Sequence, residues 1–223
     1  MLIKITPIAL LSAFLLSPAH AEGYYISGKA ITGNQYASSM DTSLRPRIGS
    51  FIEVDNQSNI KRGSFAFGYA FNNHWKVEAE YNTSVDSHFQ SGSSRFANSL
   101  NNYQIDSEKM MVNGYRYFPV YGNLSVYGQA GLGVAKVKVG GWQRVQDNQF
   151  STNKQTNIAY SIGAGARVAI NASMSTELGY RYTDLGKVES GFNNFQNFSG
   201  LKDEQLKAHL TEQEIYIGLS YKI

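Results

Sequence analysis

Along residues 214–223 apolar and polar side chains alternate one for one. Ile215, Ile217, Leu219, Tyr221 and Ile223 hold one set of positions, and Glu214, Tyr216, Gly218, Ser220 and Lys222 the other. A strand sends successive side chains to opposite faces, so this period of two predicts a strand with one greasy face and one polar or small face. The pattern recurs at 62–71, where Gly63, Phe65, Phe67, Tyr69 and Phe71 oppose Arg62, Ser64, Ala66, Gly68 and Ala70. It recurs again at 75–82, where Trp75, Val77, Ala79 and Tyr81 oppose Lys76, Glu78, Glu80 and Asn82. Only Asn72 and Asn73 separate these two runs, a tight hairpin signal. Residues 24–32, 127–134, 158–168 and 176–183 read the same way. An eighth strand falls within 108–118, but Met110 and Met111 are both apolar and Arg116 shares a face with Val112, so its register stays open.

Alternation by itself does not separate a soluble sandwich, which buries its apolar face, from a barrel that turns that face to lipid. Two further features favour the barrel. The polar faces are crowded with glycine and alanine, as the cramped interior of eight closed strands requires. Their charges also balance: Lys29, Lys76, Arg167 and Arg181 against Glu78, Glu80, Glu177 and Glu214, which predicts ion pairs inside the lumen. In a sandwich these would be ordinary solvated surface charges. Connections alternate as well. Residues 72–73, 119–123 and 171–172 are short turns, whereas 34–61, 85–107, 140–155 and 187–211 are long, polar and rich in Asn, Ser and Gln. Short periplasmic turns and long extracellular loops mark outer-membrane barrels. The expected fold is all-β: an eight-stranded antiparallel up-and-down transmembrane barrel with four long extracellular loops.

Composition narrows this further. With no cysteine among 223 residues, disulfides are excluded. Past the first twenty residues no apolar run approaches the ~18 residues of a spanning helix. Residues 1–21 read as a secretory signal, with Lys4 as the positive region, an apolar stretch from 8 to 16 and the small-residue site Ala19-His20-Ala21. Residues 22–223 then form the barrel domain. Without those first residues, which hold one Lys, the chain carries 19 Lys+Arg and 17 Asp+Glu, a net +2 that gives no basis for binding nucleic acid.

Candidate chemistry is sparse. His74, His88 and His209 show no metal-ligand spacing, and no G-x-S-x-G elbow accompanies them. Glu78 and Glu80 could serve as paired carboxylates, but Lys76 beside them favours structural ion pairing. Gly131, Gly133, Gly163 and Gly165 follow the strand period and lack a Gly-Lys-Ser/Thr, so they mark close packing rather than a phosphate loop. No enzyme, metal or cofactor is expected. The candidate binding surface is basic: Arg45, Arg47, Lys136, Lys138 and Arg144, supported by the loop aromatics Phe89, Phe96, Trp142, Phe150, Phe192, Phe195 and Phe198.

Three segments carry a resemblance: Trp-Lys-Val-Glu-Ala-Glu-Tyr at 75–81, Tyr-Gly-Gln-Ala-Gly-Leu-Gly at 127–133 and, above all, Tyr-Arg-Tyr-Thr-Asp-Leu-Gly at 180–186. They resemble the opacity-type, OmpA-like eight-stranded barrels of Gram-negative outer membranes, over the whole of residues 22–223. The start Glu-Gly-Tyr-Tyr-Ile-Ser-Gly-Lys-Ala at 22–30 is similar to the heat-resistant agglutinin and Tia-type invasins. That resemblance implies residence among outer-membrane lipids and lipopolysaccharide. It also implies a function as an adhesin or invasin whose loops meet a host-cell glycan or protein receptor. Such barrels usually end in Phe, and this chain ends in Ile223. The competing readings are a small channel or envelope-stability protein and, third, an outer-membrane enzyme.

Overall fold

In the computed structural model, which describes residues 22–41, 49–71, 74–96, 98–197 and 199–223, nine strands account for most of the described chain. They are β1 (Gly23–Asp41), β2 (Phe51–Asp55), β3 (Gln57–Ala70), β4 (Trp75–Ser93), β5 (Asn101–Tyr121), β6 (Leu124–Gln143), β7 (Gln149–Ala169), β8 (Met174–Glu189) and β9 (Lys207–Lys222). Apart from β2, each strand pairs antiparallel with its sequence neighbours, and β1 closes on β9 with Gly28 opposite Leu219 and Ala30 opposite Ile217. Eight strands therefore form the closed barrel, while β2 lies against the far end of β4, with Phe51 opposite Ser93. The signal segment 1–21 and the Asn72-Asn73 hairpin lie outside the described residues.

The greasy faces point outward. Ile26, Phe65, Phe67, Leu132, Ile158, Ile162, Leu178, Ile215 and Ile217 are all exposed on the outer wall, as a lipid-facing band requires. The strand of open register resolves to Met110, Val112 and Phe118 outside, with Met111, Tyr115 and Tyr117 buried inside. Arg116 also faces out, near one end of the band, where its guanidinium lies 4.7 Å from the Trp75 ring and 5.5 Å from that of Phe118. The inner wall is built from small residues against tyrosines. A Cβ added at Gly179 would fall on the Tyr216 ring and the Tyr127 hydroxyl, and one at Gly68 on the Tyr25 ring. Those glycines create the room that lets rings lie flat across an eight-stranded lumen.

One expectation is corrected. The stretches 34–61, 85–107, 140–155 and 187–211 are in large part strand rather than loop. β1 has 19 residues, and β5 and β7 have 21 each, whereas roughly 9–11 suffice to cross a membrane. Between the strands there remain 42–50, 94–100, 144–148 and 190–206, of which 42–48, 97 and 198 lie outside the described residues. The physical reason is a change of medium. On β6, Leu132 and Val134 face out into lipid, but Lys136 and Lys138 follow them on the same face while Val137 and Val139 turn inward. Beyond the hydrocarbon the outer wall meets water, so the apolar phase moves to the inside and the lipid-type pattern stops while the strand continues.

Candidate functional site

The lumen is filled in two layers. At mid-barrel the ammonium of Lys29 lies 2.5 Å from Glu78, 3.2 Å from Glu80 and 3.8 Å from Glu177. Tyr25 and Tyr115 both donate hydroxyl hydrogen bonds to Glu78, at 3.1 and 2.6 Å. Arg181, fully buried, joins Glu80 at 2.9 Å and Glu214 at 2.8 Å, and donates to Asn82 at 3.0 Å. Gly218 makes room for the first group: a Cβ there would come 2.9 Å from Glu177 Cγ and 3.2 Å from Lys29 Cγ. Buried charges are tolerated only when paired and hydrogen-bonded; Glu78, Glu80 and Glu214 have both, and Glu177 is paired with Lys29.

The structure thus brings Lys29, Glu78, Glu80, Glu177, Arg181 and Glu214 together. It adds three residues that pattern reading did not place in the network. Lys109 lies 2.5 Å from Glu212 and 2.9 Å from Glu214, and Arg62 lies 2.5 Å from Glu212. Arg62 and Glu212 sit on the inward phase of their strands, so periodicity carried that signal; Lys109 belongs to the strand whose register was open. Lys76 and Arg167 differ from expectation: neither forms an ion pair among the described residues. Lys76 rests over the Tyr25 and Tyr117 rings at 4.7 and 5.1 Å, and Arg167 over the Tyr117 ring at 5.4 Å. Lys76 precedes Glu78 by one inward position and Arg167 stands opposite Glu177, but Lys29 takes both carboxylates and aromatic faces hold the two cations.

Above the network the lumen is apolar. Ala37, Met40, Phe89, Tyr103, Ile105, Val137, Val139, Phe150, Leu185, Leu206 and Leu210 are buried in one cluster, with Phe195 edge-on to Phe150 at 5.5 Å. Phe89 and Phe150, expected on a recognition surface, are core residues here. Phe96 and Phe192 are exposed, and Phe198 lies outside the described residues. Backbone pairing leaves a seam in the wall of this upper region between β3 and β4, beyond Ser64 opposite Asn82, and a second between β7 and β8. Backbone pairing of β7 with β8 stops at Tyr160 opposite Asp184. Beyond it, the side-chain amides of Asn153, Gln155 and Asn157 donate to the carbonyls of Glu189, Lys187 and Leu185 at 3.0, 2.7 and 2.9 Å. At the foot of this second seam Asp184 accepts from Tyr160 at 2.7 Å and lies 3.0 Å from His209 Nε2.

The candidate basic surface is spread over two places. Lys136 and Lys138 point outward from the wall of β6; Lys136 lies 3.5 Å from Glu108, and Lys138 stands between Asp106 and Lys154 on the neighbouring strands. Arg144 is exposed in the 144–148 turn, where it takes a positive φ of 62° and its N–H donates to the Leu100 carbonyl at 2.8 Å. Arg45 and Arg47 lie outside the described residues.

A closed eight-stranded barrel with a lipid-type exterior is what the outer membrane protein beta-barrel domain family shares, and the model of that family matches residues 6–222. The chain belongs to this family. Outer membrane protein PagN of Salmonella typhimurium is 26% identical to it over 205 residues, covering 84% of this chain and 85% of PagN. Among solved structures, Neisserial surface protein A superposes with a TM-score of 0.55 at 15% identity, covering 90% of this chain and 97% of that one. OprG from Pseudomonas aeruginosa gives 0.56 at 15% identity, with 91% and 96% covered. At those identities the likeness concerns the fold alone. As a member of the outer membrane β-barrel family, the protein resides in the outer membrane of a Gram-negative cell. Its short-turn end, with Glu22 and Ile223, faces the periplasm and its strand extensions face outward.

Proposed function

We propose that this barrel is a non-enzymatic surface adhesin or invasin, delivered by a cleaved signal at residues 1–21, that engages host-cell receptors such as sulfated glycans. The observation that carries the reading is the extension of the strands past the lipid-facing band over a packed lumen. A wall so supported is a rigid platform, and recognition residues are held best on such scaffolds. On that wall Lys138 and Lys154 are direct cross-strand partners. Like charges placed opposite each other repel, and an anionic partner relieves the repulsion. Lys136, Arg144, Arg45 and Arg47 extend the basic set. The similarity of residues 22–30 to the agglutinin and invasin group supports the same reading, and the filled lumen speaks against a channel.

The test is attachment of a non-adherent bacterium expressing the protein to cultured epithelial cells, with and without competing heparin. Heparin and rising salt should both lower attachment steeply, because exposed pairs are screened over ~8 Å at physiological ionic strength. Replacing Arg45, Arg47, Lys136, Lys138 and Arg144 with Ser, with heat-modifiable folding retained, should reduce it. Undiminished attachment ends the glycan reading. Loss only on shortening residues 190–206 points to a protein receptor.

A further inference from the structure

The periplasmic mouth of the lumen carries two cations, Lys76 and Arg167, that form no ion pair among the described residues, Glu177 opposite Arg167 being paired with Lys29. Lys76 of β4 and Arg167 of β7 lie against the same Tyr117 ring, at 5.1 and 5.4 Å, and Lys76 also lies over Tyr25 at 4.7 Å. Lys222 of β9 is the cross-strand partner of Tyr25 and shares its inward phase. All three are half-buried, and Tyr117 beneath them is buried. Arg167 Nε is enclosed yet has no hydrogen-bond partner. Glu78, the next inward position above Lys76, and Glu177, the cross-strand partner of Arg167, are both held by Lys29, at 2.5 and 3.8 Å. Glu22, at the start of β1, is exposed and joins no ion pair among the described residues.

Lys76 and Arg167, set against a single ring, repel one another unless an anion sits between them. A guanidinium recognises a tetrahedral oxyanion through two parallel N–H donors, and an ammonium adds a point charge with rotatable donors. Stacking on Tyr117 and Tyr25 holds both groups in place beforehand, so little side-chain freedom is lost on binding. We propose that the periplasmic mouth, where Lys76 and Arg167 lie on Tyr117 and Lys222 stands on the inward phase of β9, is a binding site for a phosphate-type oxyanion. The phosphate can come from a soluble phosphate or phosphate monoester, or from the headgroup of a phospholipid in the periplasmic leaflet.

The test is isothermal titration of the detergent-extracted barrel in lauryldimethylamine oxide, a phosphate-free detergent, in chloride buffer. The titrants are orthophosphate, glycerol 3-phosphate and dihexanoyl phosphatidylglycerol. One saturable site is expected, about tenfold weaker in Lys76→Gln and in Arg167→Gln and unchanged in Arg144→Ser, all variants retaining heat-modifiable migration. Binding of either soluble phosphate assigns a soluble oxyanion, and binding confined to the lipid assigns the headgroup. Absence of saturable binding to all three, or binding by the two mouth variants as tight as that of the unaltered protein, overturns the site. Should those variants fail to fold, the Arg167 Nε–H resonance of the unaltered protein carries the test: it should shift on phosphate addition, and a resonance that does not move overturns the proposal.

Discussion

Replacing Arg181 with Met tests whether the lumen network holds the barrel together. Methionine keeps the length and most of the apolar stem, so the change isolates the charge and the hydrogen bonds. It removes the contacts to Glu80 at 2.9 Å, Glu214 at 2.8 Å and Asn82 at 3.0 Å, all from a side chain with no solvent exposure. Breaking a buried ion pair by removing one partner costs about 3–5 kcal/mol, because the other charge is left uncompensated. Here each carboxylate keeps a second cation: Lys29 remains 3.2 Å from Glu80 and Lys109 2.9 Å from Glu214. The loss should therefore sit near the lower end, about 3 kcal/mol. For a chain of this size that corresponds to roughly 6–12 °C in unfolding temperature. The assay is the temperature at which the folded, fast-migrating species is lost on a detergent gel, checked by tryptophan fluorescence. Arg144→Ser, in an exposed turn, is the control and should stay within about 0.5 kcal/mol of the parent. Equal shifts for the two variants would refute the idea that buried pairing stabilises the lumen. So would recovery of full stability without the compensating changes Glu80→Gln and Glu214→Gln.

Two further outcomes follow from the packing. In planar bilayers the barrel should show no ohmic conductance, since the ion-paired layer lies under an apolar one with Phe89, Phe150 and Leu206 buried; sizeable single-channel steps would contradict a filled lumen. Gly179→Ala should destabilise by about 1–3 kcal/mol through overpacking against Tyr216 and Tyr127, and adding Tyr216→Leu should recover part of that loss; purely additive effects would mean the two sites do not touch.

The lipid-facing half of this protein was legible in the chain. Ile215, Ile217 and Leu219 alternate with Glu214, Tyr216 and Gly218 because lipid on one side and a crowded polar lumen on the other demand opposite chemistries of successive residues. That local demand sufficed to place eight strands, the faces of seven of them and six of the charges that meet inside. It could not say which charge meets which, since partners such as Lys109 and Glu214 are over a hundred residues apart and are brought together only by closure of β1 on β9. For the same reason Lys76 and Arg167 read as members of the network: their faces are set by periodicity, but which cation takes Glu78 and Glu177 is decided across the closed lumen, where Lys29 reaches both. The strand extensions were hidden for a different reason. Alternation reports a contrast between the media on the two sides of a strand, not the strand itself. Above the membrane lipid gives way to water outside, and an apolar core replaces the ionic one inside, so the contrast reverses at residues such as Lys136 and Val137. Only the closed tertiary structure, in which β6 is held by β5 on one side and β7 on the other through Lys136 and Val137, decides that the strand runs on through that reversal.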